Sequence, residues 1–577
     1  MKNRLIILMA ALAAATACSS DLGQPVEQIA IPRVDKMPGI PQPYKIIDWK
    51  QKALDFDNYV FDFNSTLPAG PQIWIDNVQR NFPQPTFGIY TAMKDDRQGP
   101  DRNGGEFHES LNTLHVLISA GLMGIDKRNQ DGYNYVRMVQ NYFNRDNGWN
   151  IVMNNTCPDV ALLGGGYGRD WWYDVYPNIL YYAVCELFPG VEGAEEIQRT
   201  VADQFEKADS VLAGNYDYSY FDYAAMEGRT NWIPFQQDAA GGHGWVLYAA
   251  YRKFGDESYL EHAKSAIAAL DSQTESRFYE ILLPMGIYTA ARLNAEQGTS
   301  YDLSKMFDWV FEGCTNPVNS RTGWGITCDR WGDYDIHGLQ GSLTDGGGFA
   351  FLMNSIDVSW PFVPLVKYQP QYARAIGRWM NNLANACRFF YPDQLPDEHQ
   401  CLPGMQDFTN SIIAYEGLRY ANVNPNPCYD AVRDTTVHPV ALGDGPLWYP
   451  TNPKESMFST YSSSSAGILG AIVETTDVEG VLRLNCNATD FYADKKFPVY
   501  LMYNPYDSAK EVSYVAGEGR KDLFDIVSRT YLARNVKGCA TVSLDGDSAA
   551  VVVELPAGCR IVRDGNRLVA DGQTIAY

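Results

Sequence analysis

Apolar residues in this chain change their spacing near residue 430, and that change restricts the available folds more than any other feature. Before it they recur mostly every three to four residues, the period of a helix with one buried face; after it they alternate or gather in short β-branched runs. In the stretch 107–123, Phe107, Leu111, Leu114, Ile118 and Leu122 follow the helical step, leaving Glu109, Asn112 and Thr113 on the other side. Similar patterns occupy 132–146, 172–188, 194–213, 239–254, 257–271, 281–297, 303–313, 346–356, 369–390 and 409–421, about eleven helices with little strand between them. Roughly 380 residues of this kind exceed one four-helix bundle, so helical hairpins stacked around a large core are expected.

From about 431 the runs 467–475 (GILGAIVET), 481–485, 499–503, 511–515, 541–544 and 549–555 read as strands, with turn signals such as Asn504-Pro505 and Asp564-Gly565 between them. A β-sandwich is expected there, with 549–555 buried on both faces. The boundary is placed near 425–445, beside the Asn- and Pro-rich NVNPNP of 422–427. No strict residue repeat is detectable, which favours a closed toroid of helix pairs over a solenoid.

The N-terminus constrains location. Lys2 and Arg4 precede an uncharged apolar run from Leu5 to Ala17, and small residues lead directly to Cys18. That is the form of a secretory signal, and the run is too short for the roughly 20 residues of a permanent membrane span. Ala15-Thr16-Ala17-Cys18 resembles the lipobox of bacterial lipoproteins, with Ala15 where Leu is usual. The expected product is an exported lipoprotein of a Gram-negative bacterium, periplasmic or on the cell surface, held to the membrane only by lipid on Cys18. The expected spans are a signal peptide at 1–17, a Pro-rich tether at 18–47, a helical toroid at 48–430 and a β-sandwich at 431–577.

Charge narrows the partners. The chain carries 46 basic and 69 acidic residues, net −23, which disfavours nucleic acid and an anionic membrane face. No Gly-x-Ser-x-Gly elbow, phosphate-binding loop or Cys-x-x-Cys pair occurs, so no cofactor and no metal is implied. Of the eleven cysteines, Cys314 with Cys328, Cys387 with Cys401 and Cys539 with Cys559 lie nearest in sequence; pairing and buried thiols are both open.

About a dozen helices in an aromatic-rich chain followed by a β-rich region resembles the (α/α)6-toroid glycoside hydrolases and polysaccharide lyases. The resemblance is one of architecture, and it implies a polysaccharide or oligosaccharide substrate. Glycosidic hydrolysis usually needs two carboxyl groups, one protonated and one ionised, so acids in aromatic, Gly-rich stretches are the candidates. GGGYGRDWWYDVYP at 164–177 places Asp170 and Asp174 four apart at a helix start among Trp171 and Trp172. MEGRTNWIPFQQDAAGGHGW at 226–245 holds Glu227, Trp232, Asp238 and His243. GWGITCDRWGDYDIHGLQGSLTDGGG at 323–348 holds Asp335, His337 and Asp345 with Trp324, Trp331 and Tyr334, a mixture suited to a sugar cleft. Each acid also has an ordinary reading as a helix cap or salt-bridge partner. Glu106, His108 and Glu109 at another helix start are background by the same logic. For a lyase, Asn231, His243, Tyr248 and Arg252 would be the candidates. A surface glycan-binding lipoprotein without turnover would show the same aromatic loops.

Overall fold

The computed structural model describes residues 22–577 apart from 68–69, 103–104, 107, 158–168, 232, 234, 315–323, 343–348, 405, 420–438, 444, 446–448 and 450. Helix α1 (Trp49–Val60) leads to α2 (Ser110–Leu122) and a short α3 (Tyr135–Met138). There follow α4 (Trp171–Leu187), α5 (Ala194–Leu212), α6 (Ala239–Phe254), α7 (Glu257–Asp271), α8 (Leu282–Gln297) and α9 (Leu303–Phe311). The set ends with α10 (Leu352–Leu365), α11 (Ala373–Ala386) and α12 (Ala466–Ile472). The even-numbered helices pack each on the next, and α12 closes the circle against α2. The odd-numbered helices flank that inner ring on the outside, α5 and α7 both lying on α6. These contacts make an (α/α)6 toroid.

Inner helices are buried nearly all round, which explains their composition. In α4 only three of the seventeen residues, Tyr173, Glu186 and Leu187, escape the buried class. Outer α5, by contrast, has buried positions at helical spacing (Ile197, Val201, Phe205, Ala208, Leu212) and a polar outer face. Two glycine contacts set how close the inner helices come. A Cβ on Gly241 of α6 would stand 2.8 Å from the Gly286 Cα of α8, and one on Gly467 would stand 2.6 Å from Ser119 Cα of α2. The Gly467 N–H also donates to Ser119 Oγ at 3.0 Å, which ties the ring shut.

The closing helix corrects the sequence reading of 467–475 as a strand, and the helical ring runs past the expected boundary at 430. GILGAI is an unbroken apolar run, with Gly467, Ile468, Leu469 and Ile472 buried, and such a run has no period from which to tell helix from strand. The strand begins only at Val473. The expected helix at 409–421 is also corrected: short strands Ala414–Tyr415 and Gly417–Arg419 stand there.

Beyond Val473 the chain is all-β. A six-stranded antiparallel sheet runs in the order Val473–Thr475, Leu482–Asn485, Val499–Asn504, Ser548–Pro556, Lys510–Asp525 and Thr530–Leu544. A smaller sheet of Ile561–Asp564, Arg567–Ala570 and Gln573–Ala576 follows. Ser548–Pro556 is central and buried from Ala549 to Leu555, which is why its apolar residues do not alternate. A second five-stranded sheet (Val440–Leu442, Gly417–Arg419, Phe349–Phe351, Gln340–Ser342, Trp324–Ile326) is assembled from the connections around α10.

The expected tether is corrected from residue 22 onward. Ile31, Val34 and Met37 are buried, the Asn381 and Asn382 side-chain amides of α11 donate to the carbonyls of Gly39 (2.6 Å) and Pro38 (2.9 Å), and Arg388 donates to the Pro43 carbonyl (2.7 Å). This segment is a strap fastened to the body. The nine described cysteines from Cys157 onward are free thiols. Among the described residues no helix is long and apolar enough to cross a membrane.

Candidate active site

The inner helices share one direction, so their first turns meet at one end of the ring. Contacts between neighbours show it. The Trp172 N–H of α4 donates to Gln236 Oε1 just before α6 (3.1 Å), and the Tyr279 N–H before α8 reaches Asp238 Oδ2 before α6 (3.4 Å). Asn354 in the first turn of α10 donates to Glu280 Oε2 before α8 (2.5 Å). Asn112 in the first turn of α2 donates to Thr460 Oγ1, on the short helix leading to α12 (3.1 Å).

Four of the six inner helices have an acid at or just before their start: Glu109, Asp170, Asp238 and Glu280. Helix N-termini favour such groups, since unsatisfied N–H groups and the dipole both stabilise negative charge. Only Asp170 acts as a side-chain cap, accepting the Tyr173 N–H at 3.1 Å. Glu109 is buried, and that burial pushes its carboxyl up to about 7 against the pull of Arg97 and an Asn154 hydrogen bond. Burial pushes Asp238 up to about 7 as well, with the Asp170 charge adding to it. Asp174, one turn inside α4, is raised well above the carboxylate range by burial and by Asp170, and neither of its oxygens has a hydrogen-bond partner among the described residues.

Two half-buried phenols register this concentration of charge. The Tyr173 hydroxyl is pushed well up by burial and by the charges of Glu109, Asp170 and Glu280. Tyr461, near the start of the sixth inner helix, is pushed up by burial and by Tyr173, Glu109, Glu280 and Asp357. Glu109 and Glu280, on helices that are not ring neighbours, therefore act on the same pair of tyrosines across the mouth. An aromatic wall stands beside them: Tyr279 lies against Trp324 (5.3 Å between centroids), which stacks on Phe351 (5.5 Å, 5° between planes).

Of the sequence candidates, Asp170, Asp174, Asp238 and Trp324 fall at this mouth. Trp171 and Trp172 do not present sugar-stacking faces. Trp171 is core with its indole N–H on the Tyr218 carbonyl (2.9 Å), and Trp172 is buried and stacked on Tyr176 (4.6 Å). Glu227 sits on an exposed hairpin, ion-paired with Arg229. His243 is packed within Trp171, Phe205, Tyr216 and Tyr223, and burial lowers its pKa to about 3, so it is a core histidine.

Asp335 lies in the paired strands Arg330–Trp331 and Tyr334–Asp335, with both oxygens engaged. Oδ2 accepts the Gln42 N–H (2.6 Å), while Oδ1 faces Arg330 (3.4 Å) and His337 (3.9 Å). It fastens the strap. Trp331 is buried with its N–H on the Arg419 carbonyl (3.0 Å), and Tyr334 packs on Phe389 and His399. The expectation that Asp335, Trp331, Tyr334 and His337 form a sugar cleft is thus corrected: carboxylates among aromatic rings here pin one segment to another. Trp232 and Asp345 lie outside the described residues, as does Cys18. Among the described residues no cluster of His, Cys, Asp and Glu has the form of a metal site.

The lyase set is not brought together. Asn231 donates to the Arg169 carbonyl at the mouth (2.9 Å), whereas Tyr248 and Arg252, far along α6, engage Glu296 and Asp494 at the other end of the ring. Sequence reasoning passed over Glu109 and missed Glu280, Tyr461 and Asn354. The signal was present as an acid directly before several apolar helices, and each instance taken alone reads as a cap.

No protein-family model matches the chain, and no curated protein sequence does. Among solved structures, a GH127 β-L-arabinofuranosidase from Geobacillus stearothermophilus T6 aligns at 12% identity over 92% of this chain and 85% of its own, with a TM-score of 0.31. An unsaturated glucuronyl hydrolase specific for heparin aligns at 11% identity over 62% of this chain and 95% of its own, with a TM-score of 0.27. An α-L-rhamnosidase from Dictyoglumus thermophilum aligns at 10% identity over 81% and 48%, again at 0.27. Scores this low carry no argument about activity. On its own helix contacts the chain is an (α/α)6 toroid joined to a C-terminal all-β region.

Proposed function

We propose that this chain is an exported, lipid-anchored glycoside hydrolase whose reaction takes place at the acidic mouth of the ring. The observation that carries the reading is the convergence of Glu109, Asp170, Asp238 and Glu280, at the starts of four inner helices, on one end of the ring. A carboxyl held near 7 is still protonated in about half of the molecules at neutral pH and can pass that proton to the departing glycosidic oxygen, which is the work of a general acid. Glu280, oriented by Asn354, supplies the second carboxyl, to activate water or to attack the anomeric carbon. Phe351, half-buried and stacked on the buried Trp324, offers ring surface for the apolar face of a sugar. Tyrosines raised this far stay protonated at neutral pH, so neither stands ready as a base to abstract a proton from a uronate.

The test is a screen of purified protein on plant, algal and host glycans, reading new reducing ends and ultraviolet absorbance together. Hydrolysis yields reducing ends without absorbance, and Glu280→Gln slows it by orders of magnitude. An absorbing, unsaturated product would replace the reading with a lyase, and calorimetric binding of a glycan that stays intact would replace it with a binding protein. The anchor is tested separately: Cys18→Ser releases the protein from the membrane fraction, and a cleaved variant as membrane-bound as the parent would sink it.

A further inference from the structure

The strap enters the body at the end of the ring opposite the acids. The Val26 N–H donates to the Val527 carbonyl (2.8 Å) and the Ile29 N–H to the Gln371 carbonyl (2.7 Å), just past the end of α10. The three-stranded sheet lies at that end too, since Arg567 donates to the carbonyls of Ala295 and Glu296 in the last turn of α8 (3.3 and 3.1 Å). Beside the point of entry stand Arg529, two residues after Val527, and Arg563, whose charge acts on it. Arg560 and Arg563 are exposed, and between them Val562 is 47% exposed; Ile29 on the strap is 39% exposed. Glu27 and Asp564 are the acids of the two segments 22–30 and 558–567. Asp571, in a turn of the same sheet, is paired with Lys496 (2.7 Å), which leaves Arg560, Arg563 and Arg567 in excess over Asp564, a locally basic and partly apolar end in a chain of net −23.

We propose that this face rests on the anionic headgroup surface of the membrane to which lipid on Cys18 holds the chain, with the acidic mouth turned away from the bilayer. The proposal rests on the lipid-anchor reading. Its geometry follows from the strap being packed rather than loose. Leu22 already contacts the core, so only three residues separate Cys18 from the body, four Cα-to-Cα steps with a reach of at most about 14 Å. Helix α8 alone rises about 24 Å between the two ends of the ring, so an anchor at Cys18 fixes which end meets the membrane. Elsewhere the acidic surface is repelled by anionic lipid, whereas each basic residue near such a surface strengthens binding roughly fivefold. Val562 and Ile29 supply apolar contact at the headgroup boundary.

The test uses the chain from residue 19, which keeps every described residue and carries no lipid, so it is independent of acylation. Co-sedimentation is measured with vesicles of mixed phosphatidylglycerol and phosphatidylcholine and with pure phosphatidylcholine. Binding to the anionic vesicles alone, released by salt, is the expected result. Arg560→Glu with Arg563→Glu should weaken it at least about tenfold with unchanged thermal unfolding, while Arg137→Glu on the ring wall leaves it as it was. Absence of binding, equal binding to both vesicles, or a double variant that binds like the parent would overturn the proposal. The Cys18→Ser fractionation reports on the anchor by itself, so failure of the anchor and failure of the face are told apart.

Discussion

Each end of the helical ring buries a carboxyl, and the two are treated in opposite ways. At the far end Asp490 is met by Lys367 and by the hydroxyls of Tyr288 and Tyr368, with Arg292 close by. Burial opposes its ionisation, yet Lys367 and Arg292 hold it below the usual carboxylate range. At the mouth Glu109 has Arg97 nearby and one long hydrogen bond from Asn154 (3.4 Å), and burial wins. The same residue class in the same ring therefore serves architecture where its charge is compensated. Where it is not, the cost of burial is available as a proton held near neutrality.

The largest effects should come from the mouth. Glu109→Gln and Glu280→Gln should each lower turnover by about 10² to 10⁴-fold, the usual contribution of a positioned acid or base. Neither should unfold the protein, and Glu109→Gln should raise thermal stability at neutral pH because an uncompensated buried carboxyl is removed. Loss of activity accompanied by loss of fold would place Glu109 with Asp490 as a structural group. The reverse holds at the far end. Asp490→Asn should cost about 3 to 5 kcal/mol by stranding the Lys367 charge, while Arg292 keeps Glu296 (3.2 Å), with turnover of the remaining folded protein unchanged; denaturant unfolding against specific activity separates the two.

Much of the ring could be read from the residues because outer and most inner helices keep some polar face. The starts of α4 to α9 fall within one residue of their sequence spans. Helix α12 was illegible for the opposite reason, an apolar run with no polar face to give it a period. The site divided along the same line. Asp170 and Asp238 drew attention through their aromatic and glycine neighbours, and both lie at the mouth. Asp335 drew attention by the same composition and is a fastening, because a loop that pins a strap needs the same rings and carboxylates as one that grips a sugar. Glu280 could not be found locally: its partner Asn354 is 74 residues away.

A smaller contrast appears on titration. Glu109 binds its proton up to about 7 when folded and to about 4.5 when unfolded. Between those values the unfolded state holds fewer protons, so stability should fall by about 3 kcal/mol as pH rises from about 4.5 to 7, then level off. Asp490 works the other way: folded, it is held below 3.8, so its contribution is present above that pH and lost in acid. Glu109→Gln should reduce the neutral slope of stability against pH, leaving the share due to Asp238 and Asp174, and should leave the acid limb, while Asp490→Asn should do the opposite. Identical pH profiles for the two variants would erase the distinction between the ends. Turnover should decline above about 7 as the proton on Glu109 is lost.

The smallest expected effect belongs to Asp335, and it separates a fastening from a catalyst most directly. Its Oδ2 accepts the Gln42 N–H and its own N–H returns a bond to the Gln42 carbonyl (2.7 Å), a reciprocal pair that would survive in part after Asp335→Asn. What the amide loses is the charge facing Arg330 and His337. Arg330 is largely exposed, so that ion pair is screened and contributes little. The charge-assisted bond to Gln42 accounts for most of the expected loss, about 1 to 2 kcal/mol. Strap residues 38–45 should exchange their amide hydrogens faster, because the bonds from Asn381, Asn382 and Arg388 to Gly39, Pro38 and Pro43 then hold the segment with one fewer support. Turnover should stay near parental, since among the described residues Asp335 engages Gln42, Arg330 and His337 and none of the acids of the mouth. A hundredfold loss of activity with strap exchange unchanged would return Asp335 to the chemistry and remove the division between compensated and uncompensated acids on which the assignment of Glu109 and Glu280 rests.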